Sequence, residues 1–119
     1  MPIPKSGETF DEALEGFRAA AEEIKRADFA RNGYKFAVPV VYIKKGGRRF
    51  AKLISTENDP QTGERRAYSE SVHSFVEIAT GEIFKPASCK APARVARGSI
   101  YCNNGRDSMT ATGSIYYLR

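Results

Sequence analysis

Tryptophan is absent from the 119 residues, histidine occurs once, and cysteine and methionine occur twice each. The single histidine, His73, lies well upstream of both thiols, Cys89 and Cys102, so the usual four-ligand zinc spacings are excluded and no metal site is expected. No apolar run approaches the ~20 residues of a membrane-spanning helix. The opening MPIPKSGETF lacks the apolar stretch of a secretory signal, so the expected location is the cytoplasm. Free thiols are expected there, although spacing alone also permits a Cys89–Cys102 disulfide.

Catalytic signatures are missing too. The chain contains no G-x-x-x-x-G-K-[ST], G-x-G-x-x-G, H-E-x-x-H or G-x-S-x-G. His73 has no carboxylate at a motif spacing, and strand alternation puts it on the same face as Phe75, so it reads as a structural histidine. Cys89 has cations beside it in sequence but no partner base, and reads as a packing residue. The expectation is a non-enzymatic binder without a cofactor.

What is present is a core-sized chain with unevenly placed charge. Apolar residues make up 41% and charged residues 28%, ordinary for one globular domain over 1–119. The formal net charge is +5. Residues 1–33 hold 5 Lys/Arg against 7 Asp/Glu, and residues 34–119 hold 14 against 7. Such a balance favours anionic partners.

Residues 9–32 predict an amphipathic helix. Thr9 and Glu12 form a T-x-x-E capping box, and Phe10, Leu14, Phe17, Ala21 and Ile24 make one apolar stripe. Asn32-Gly33 supplies the stop. From Tyr34 the period becomes two, with Tyr34, Phe36, Val38, Val40 and Tyr42 on one face, and Pro39 marks an edge strand or a bulge. Gly46-Gly47 turns a hairpin, and its cations Lys44, Lys45, Arg48 and Arg49 read as a solvated tip. Further strands follow in RAYSESVHSFVEIA, EIFKPAS and RGSIYC, while APARVA suits one helical turn. The predicted class is α+β: the helix packed on a bent antiparallel sheet of four to five strands over 34–101. A C-terminal loop and docked tail take up 102–119. The exposed apolar alternation at an uncovered edge predicts a homo-oligomer.

The stretch KPASCKAPARVARGSIYCNNGRD carries Lys85, Lys90, Arg94, Arg97 and Arg106 against one carboxylate, Asp107. Arg97 precedes Gly98, where a ligand can approach the backbone, then Ser99 offers a hydroxyl and Tyr101 a ring. Arginine forks suit phosphate, so Arg97, Arg106 and the terminal Arg119 are the expected phosphate ligands, with Lys85 and Lys90 in support. Ser99 is the expected polar reader, and Tyr101 or Phe84 the wall. Arg94 and Arg97 equally suit ion pairs with Glu77, Glu82 or Asp107. The expected ligand is a small phosphate-bearing nucleotide. Nucleic acid is the alternative, with docking to a host enzyme third.

From Ser71 onward the chain resembles a widespread group of small bacteriophage proteins. Their pattern is S-V-x-x-F-[VI]-x-x-x-x-G-x-[IV]-x-K-x-A-S-W-x-x-P-A-x-x-x-R-G-x-I with a terminal Y-L-R. The match runs through Ser71, Val72, Phe75, Val76, Gly81, Ile83, Lys85, Ala87, Ser88, Pro92, Ala93, Arg97, Gly98 and Ile100, then Tyr117, Leu118 and Arg119. Cys89 stands where the pattern has tryptophan, and Ser99 where it has asparagine. In layout the chain is also similar to the phage sponges that sequester the cyclic ADP-ribose signal of the Thoeris defence. That resemblance implies an anti-defence protein of the host bacterial cytoplasm that holds a nucleotide signal without turning it over.

Overall fold

Thr9 opens the one α-helix among the described residues by accepting a hydrogen bond from the Glu12 amide at 3.1 Å, which satisfies a first-turn donor that has no partner within the helix. The computed structural model describes residues 9–45, 47–66, 70–88 and 90–115. The helix, α1, spans Phe10–Arg31 and buries Ala13, Leu14, Phe17, Ala20 and Ala21, a stripe of the expected period. It ends at Asn32, and Gly33 follows at φ +69°, a conformation that costs glycine little.

Five strands follow: β1 Val38–Lys44, β2 Phe50–Asn58, β3 Ser71–Glu77, β4 Glu82–Pro86 and β5 Pro92–Ser99. Each pairs antiparallel with the next in one open sheet of order β1-β2-β3-β4-β5. The fold is therefore α+β, as expected. Three register irregularities fall at Leu53/Ile54, Ile83/Phe84 and Phe84/Pro86, where extra residues bend and twist the strands.

Helix α1 and residues 100–115 cover one face of the sheet. Leu14 and Phe17 pack with Val41, Leu53, Val76, Ile83, Ile100, Met109 and Ile115, all buried. Gly105 stands at φ +72° inside the 3₁₀ segment Asn103–Ser108, and a Cβ there would meet Phe17 at 2.5 Å and Ile83 at 2.8 Å. This close approach lets a loop finish the core.

Several expectations change. Val38 starts β1, so Tyr34 and Phe36 are not strand residues. The Tyr34 amide bonds back to the Phe29 carbonyl, and the rings of Phe29, Tyr34 and Phe36 lie within 6 Å of one another, Tyr34 and Phe36 both exposed. Residues 92–97 form most of β5, not a helical turn. An edge strand pairs through its backbone, so no side-chain alternation had to announce it, and Pro92 occupies the first position, where no ladder donor is needed. His73 faces α1 instead of sharing a face with Phe75. The extra residue in β3 between the partners of Leu53 and Ile54 turns it inward, its ring 6.0 Å from that of Phe17.

The uncovered edge expected at β1 is covered within the chain. The Val41 amide donates to Glu22 at 3.0 Å, Arg18 donates to the Val41 carbonyl at 3.1 Å, and Arg26 donates to the Pro39 carbonyl at 3.0 Å. Pro39 has no amide to satisfy. Ile115 docks in the core, and residues 116–119 of the expected tail lie outside the described residues.

Candidate functional site

Among the described residues no helix lies over the second face of the sheet. Strand alternation places Tyr42 and Lys44 of β1, Phe50 and Lys52 of β2, Phe75 of β3 and Phe84 of β4 on this side, opposite to Val41, Ala51, Val76 and Ile83. Phe50 stands edge-on to Phe75 at 6.0 Å and to Phe84 at 5.7 Å, an aromatic nest in the favoured T-shaped geometry. The Arg49 guanidinium lies 5.0 Å from the Phe50 centroid and the Lys52 ammonium 5.4 Å from that of Phe75. Further along, Arg65 sits over Tyr42 at 4.4 Å.

Around the nest is a concavity of about 380 Å³. Phe50, Phe75 and Gly47 are its apolar part, and Lys44, Lys45, Arg48, Arg49, Lys52 and Lys90 supply six cations. Among the described residues its lining contains no carboxylate, imidazole or thiol. Two cations are tethered outward at the rim. Lys45 meets Asp11 of α1 at 2.8 Å, and Arg49 meets Glu77 at 2.8 Å. The Arg49 hydrogen bond, with a second from Thr80, holds the Glu77 carboxyl below the usual carboxylate range. Lys44, Arg48 and Lys90 form no ion pair among the described residues. The volume is of small-ligand size, and the charge selects anions.

The residues predicted from sequence are divided among three places. Phe84 and Lys90 reach the open face, one in the nest and one in the concavity lining. Lys85 donates to the Ile115 carbonyl at 3.2 Å and pins the C-terminal segment. Ser99 is buried and accepts from the Tyr101 amide at 3.1 Å. The buried Tyr101 ring packs over Gly81, whose φ of +75° keeps the backbone free of a side chain there. Arg106 is paired with Glu23 of α1 at 2.7 Å. Gly98 is exposed on β5, with Ser108 alongside. Arg97 has Nε and Nη1 buried with no hydrogen-bond partner among the described residues, so it is in none of the ion pairs its sequence neighbourhood suggested. Arg119 and Cys89 lie outside the described residues, and Cys102 is an exposed free thiol.

Sequence reasoning noted the hairpin cations but assigned them to solvent, and it passed over Phe50, Lys52 and Phe75 as site residues. The register that the strands adopt is what marks them. In the hairpin, Lys44 pairs with Lys52, and like charges directly opposite are unfavourable in a sheet.

Elsewhere, His73 is neutral at ordinary pH. Burial pushes its pKa down to about 4, and the charges of Lys25 and Lys85 act in the same direction. Its Nδ1 accepts from Ser74, so Nε2 donates to the Gly113 carbonyl. Both nitrogens are thereby used in structure. No group of three or more metal-ligating side chains occurs among the described residues, and no described helix is long and apolar enough to cross a membrane.

No curated protein and no solved structure matches this chain. One family does match, over residues 8–118, which takes in α1 and every strand and reaches well beyond the C-terminal stretch from Ser71. The chain belongs to the family of unknown function DUF7717.

Proposed function

We propose that this protein binds a small phosphate-bearing nucleotide without turning it over, and that the ligand lies on the open face of the sheet. The observation that carries this reading is the convergence of six cations, and among the described residues no carboxylate, on an aromatic-walled concavity of about 380 Å³. Like charges so close together repel one another, and an anion offsets that cost. Aromatic surface beside phosphate-seeking cations suits a nucleotide, whose base is apolar on its faces and whose other end is anionic. The described lining, of lysine, arginine, glycine and phenylalanine, offers nothing with an ordinary pKa near neutrality, so the reading is sequestration, not turnover. The bacteriophage resemblance gives it a setting: an accessory protein of the bacterial cytoplasm that withdraws a nucleotide signal.

A nucleic-acid reading has one observation of its own. Lys44 and Lys52 also line a neighbouring depression with Ile54, Glu70, Ser71 and Val72, so the basic surface runs on along the sheet. Homo-oligomerisation is likewise proposed, at β5 in place of β1: β5 pairs only with β4 among the described residues and exposes Val95.

The test is to heat-denature the purified protein and take the absorbance spectrum and mass of what is released, then to titrate nucleotides into wild type and the Arg48→Ala, Lys90→Ala double variant. A released nucleotide, and binding abolished in the folded double variant, is the expected result. Binding that survives the double change but is lost in Arg97→Ala moves the site to β5. Affinity that climbs with oligonucleotide length favours nucleic acid.

A further inference from the structure

We infer that the base of the bound nucleotide is guanine and that the Asp11–Lys45 ion pair reads it. The inference rests on the nucleotide reading above and names the class within it. A second, smaller depression of about 160 Å³ lies at the first turn of α1. Phe10, Ala51 and Ile78 give it apolar walls, and Asp11 and Lys45 are its charged groups among the described residues. Its volume is below the roughly 300 Å³ of a whole-ligand site and suits one ring system. Lys45, Gly47 and Phe50 also line the larger concavity, so the two depressions share the β1–β2 turn. At that boundary Gly47 carries no side chain, and a Cβ there would meet the Phe50 carbonyl oxygen at 2.9 Å. A ligand with its phosphate among Lys44, Arg48 and Lys90 can cross at Gly47 and set its base against Phe10 and Ile78.

The polar edge of the depression decides which base. Lys45 Nζ lies 2.8 Å from Asp11 Oδ1, the rim pair that turns Lys45 out of the larger concavity. Side by side, the pair presents two carboxylate acceptors and one ammonium donor. Guanine is the common base whose pairing edge offers the complement in order: the exocyclic amine and the ring N1–H donate, and O6 accepts. Adenine and cytosine each offer one donor followed by a ring-nitrogen acceptor, which would face a carboxylate oxygen. Uracil has a single ring N–H between two carbonyls. A carboxylate only accepts, so each mismatch sets lone pair against lone pair. Hydrogen bonds to charged groups are the stronger ones, and apolar walls on one side shield them from water. The ion pair is already formed, so reading the base needs little rearrangement of the protein.

The experiment is calorimetric titration of the full chain at low salt, wild type and Asp11→Asn, with GMP, IMP, AMP, CMP and UMP, which carry the same phosphate, and with a thymidine pentamer holding one central guanosine. GMP is expected to bind the wild type at least tenfold more tightly than AMP, CMP or UMP. IMP, which lacks only the exocyclic amine, should fall several-fold below GMP. Asparagine keeps the shape of aspartate but turns one acceptor into a donor, so the GMP-to-AMP ratio should drop close to one in Asp11→Asn. The ratio is the readout, because loss of the Lys45 pair changes the affinity of every nucleotide. Equal binding of all five mononucleotides, or of GMP and IMP, by the wild type overturns the inference while nucleotide binding stands. A GMP preference that Asp11→Asn retains in full also overturns it. Tighter binding of the pentamer than of GMP overturns it in favour of a strand. Failure of every nucleotide to bind overturns both readings.

Discussion

The two faces of the sheet are built from the same strands, a residue apart, and obey different rules. On the covered face, Val41, Leu53, Val76 and Ile83 meet Leu14 and Phe17 of α1, and these six side chains are all apolar and buried. On the open face, Lys44 faces Lys52, and Phe75 is roofed by an ammonium instead of a neighbouring side chain's methyls. The first arrangement is what stability selects. The second costs stability through like-charge repulsion, and proteins keep such arrangements where a site requires them.

The sharpest way to break this contrast is on the covered face. Phe17→Ala removes a fully buried ring that touches both the core and His73, and should cost about 3–5 kcal/mol by urea denaturation. A cost near zero would mean that α1 does not seal this face.

Next comes pH. The folded pKa of His73 is about 4, below the 6.5 of an unfolded chain, so the unfolded state takes up the proton first. Stability should be level above about pH 7, fall as pH drops from 6.5 toward 4, and lose roughly 3 kcal/mol in all. The carboxyls held low by hydrogen bonds, such as those of Glu15 and Glu77, lose their contribution only at lower pH, below the ordinary carboxylate range. The interval from pH 6.5 to 5 therefore isolates the histidine. His73→Gln should flatten the curve there, and a slope unchanged by that substitution would place the proton uptake elsewhere.

The smallest expected effect on stability lies on the open face. Lys44→Ala should change the unfolding free energy by less than about 0.5 kcal/mol, with relief of the Lys44–Lys52 opposition favouring stabilisation. The same variant should bind its anion markedly more weakly. Clear destabilisation with binding intact would turn the cation into a structural residue and remove the contrast.

The sequence disclosed local structure and concealed what depends on distant neighbours. Thr9, Glu12 and the stripe through Phe17 specify α1 by contacts three and four residues away, and Pro39 alone announced an edge. RGSIYC marked only residues 97–99 of β5, and the rest was hidden because an edge strand needs only its backbone, and Ala93, Arg94 and Val95 carry no alternation. His73 was placed on the wrong face because one inserted residue inverts every side chain after it, and nothing local marks the insertion. The concavity draws on three strands, a turn and a connection, so its cations are scattered from 44 to 90. Arg97, Ser99 and Tyr101 stood out because they are close in sequence, yet β5 and the turn after it send them in different directions. Ser99 and Tyr101 are spent on that turn and the core.

The side chains that cover β1 have one more consequence. Arg18, Glu22 and Arg26 recur every four residues, about 6 Å along a helix, and the groups they reach on β1 are in turn the Val41 carbonyl, the Val41 amide and the Pro39 carbonyl. The charges alternate in sign in the same order as acceptor, donor and acceptor on the strand. The helix is thus indexed against the sheet like a key against its wards. A slide by one turn sets an arginine against the Val41 amide and the Glu22 carboxylate against a carbonyl. Apolar contacts tolerate such slippage, but these do not, so the polar ladder fixes where along the sheet the helix stops.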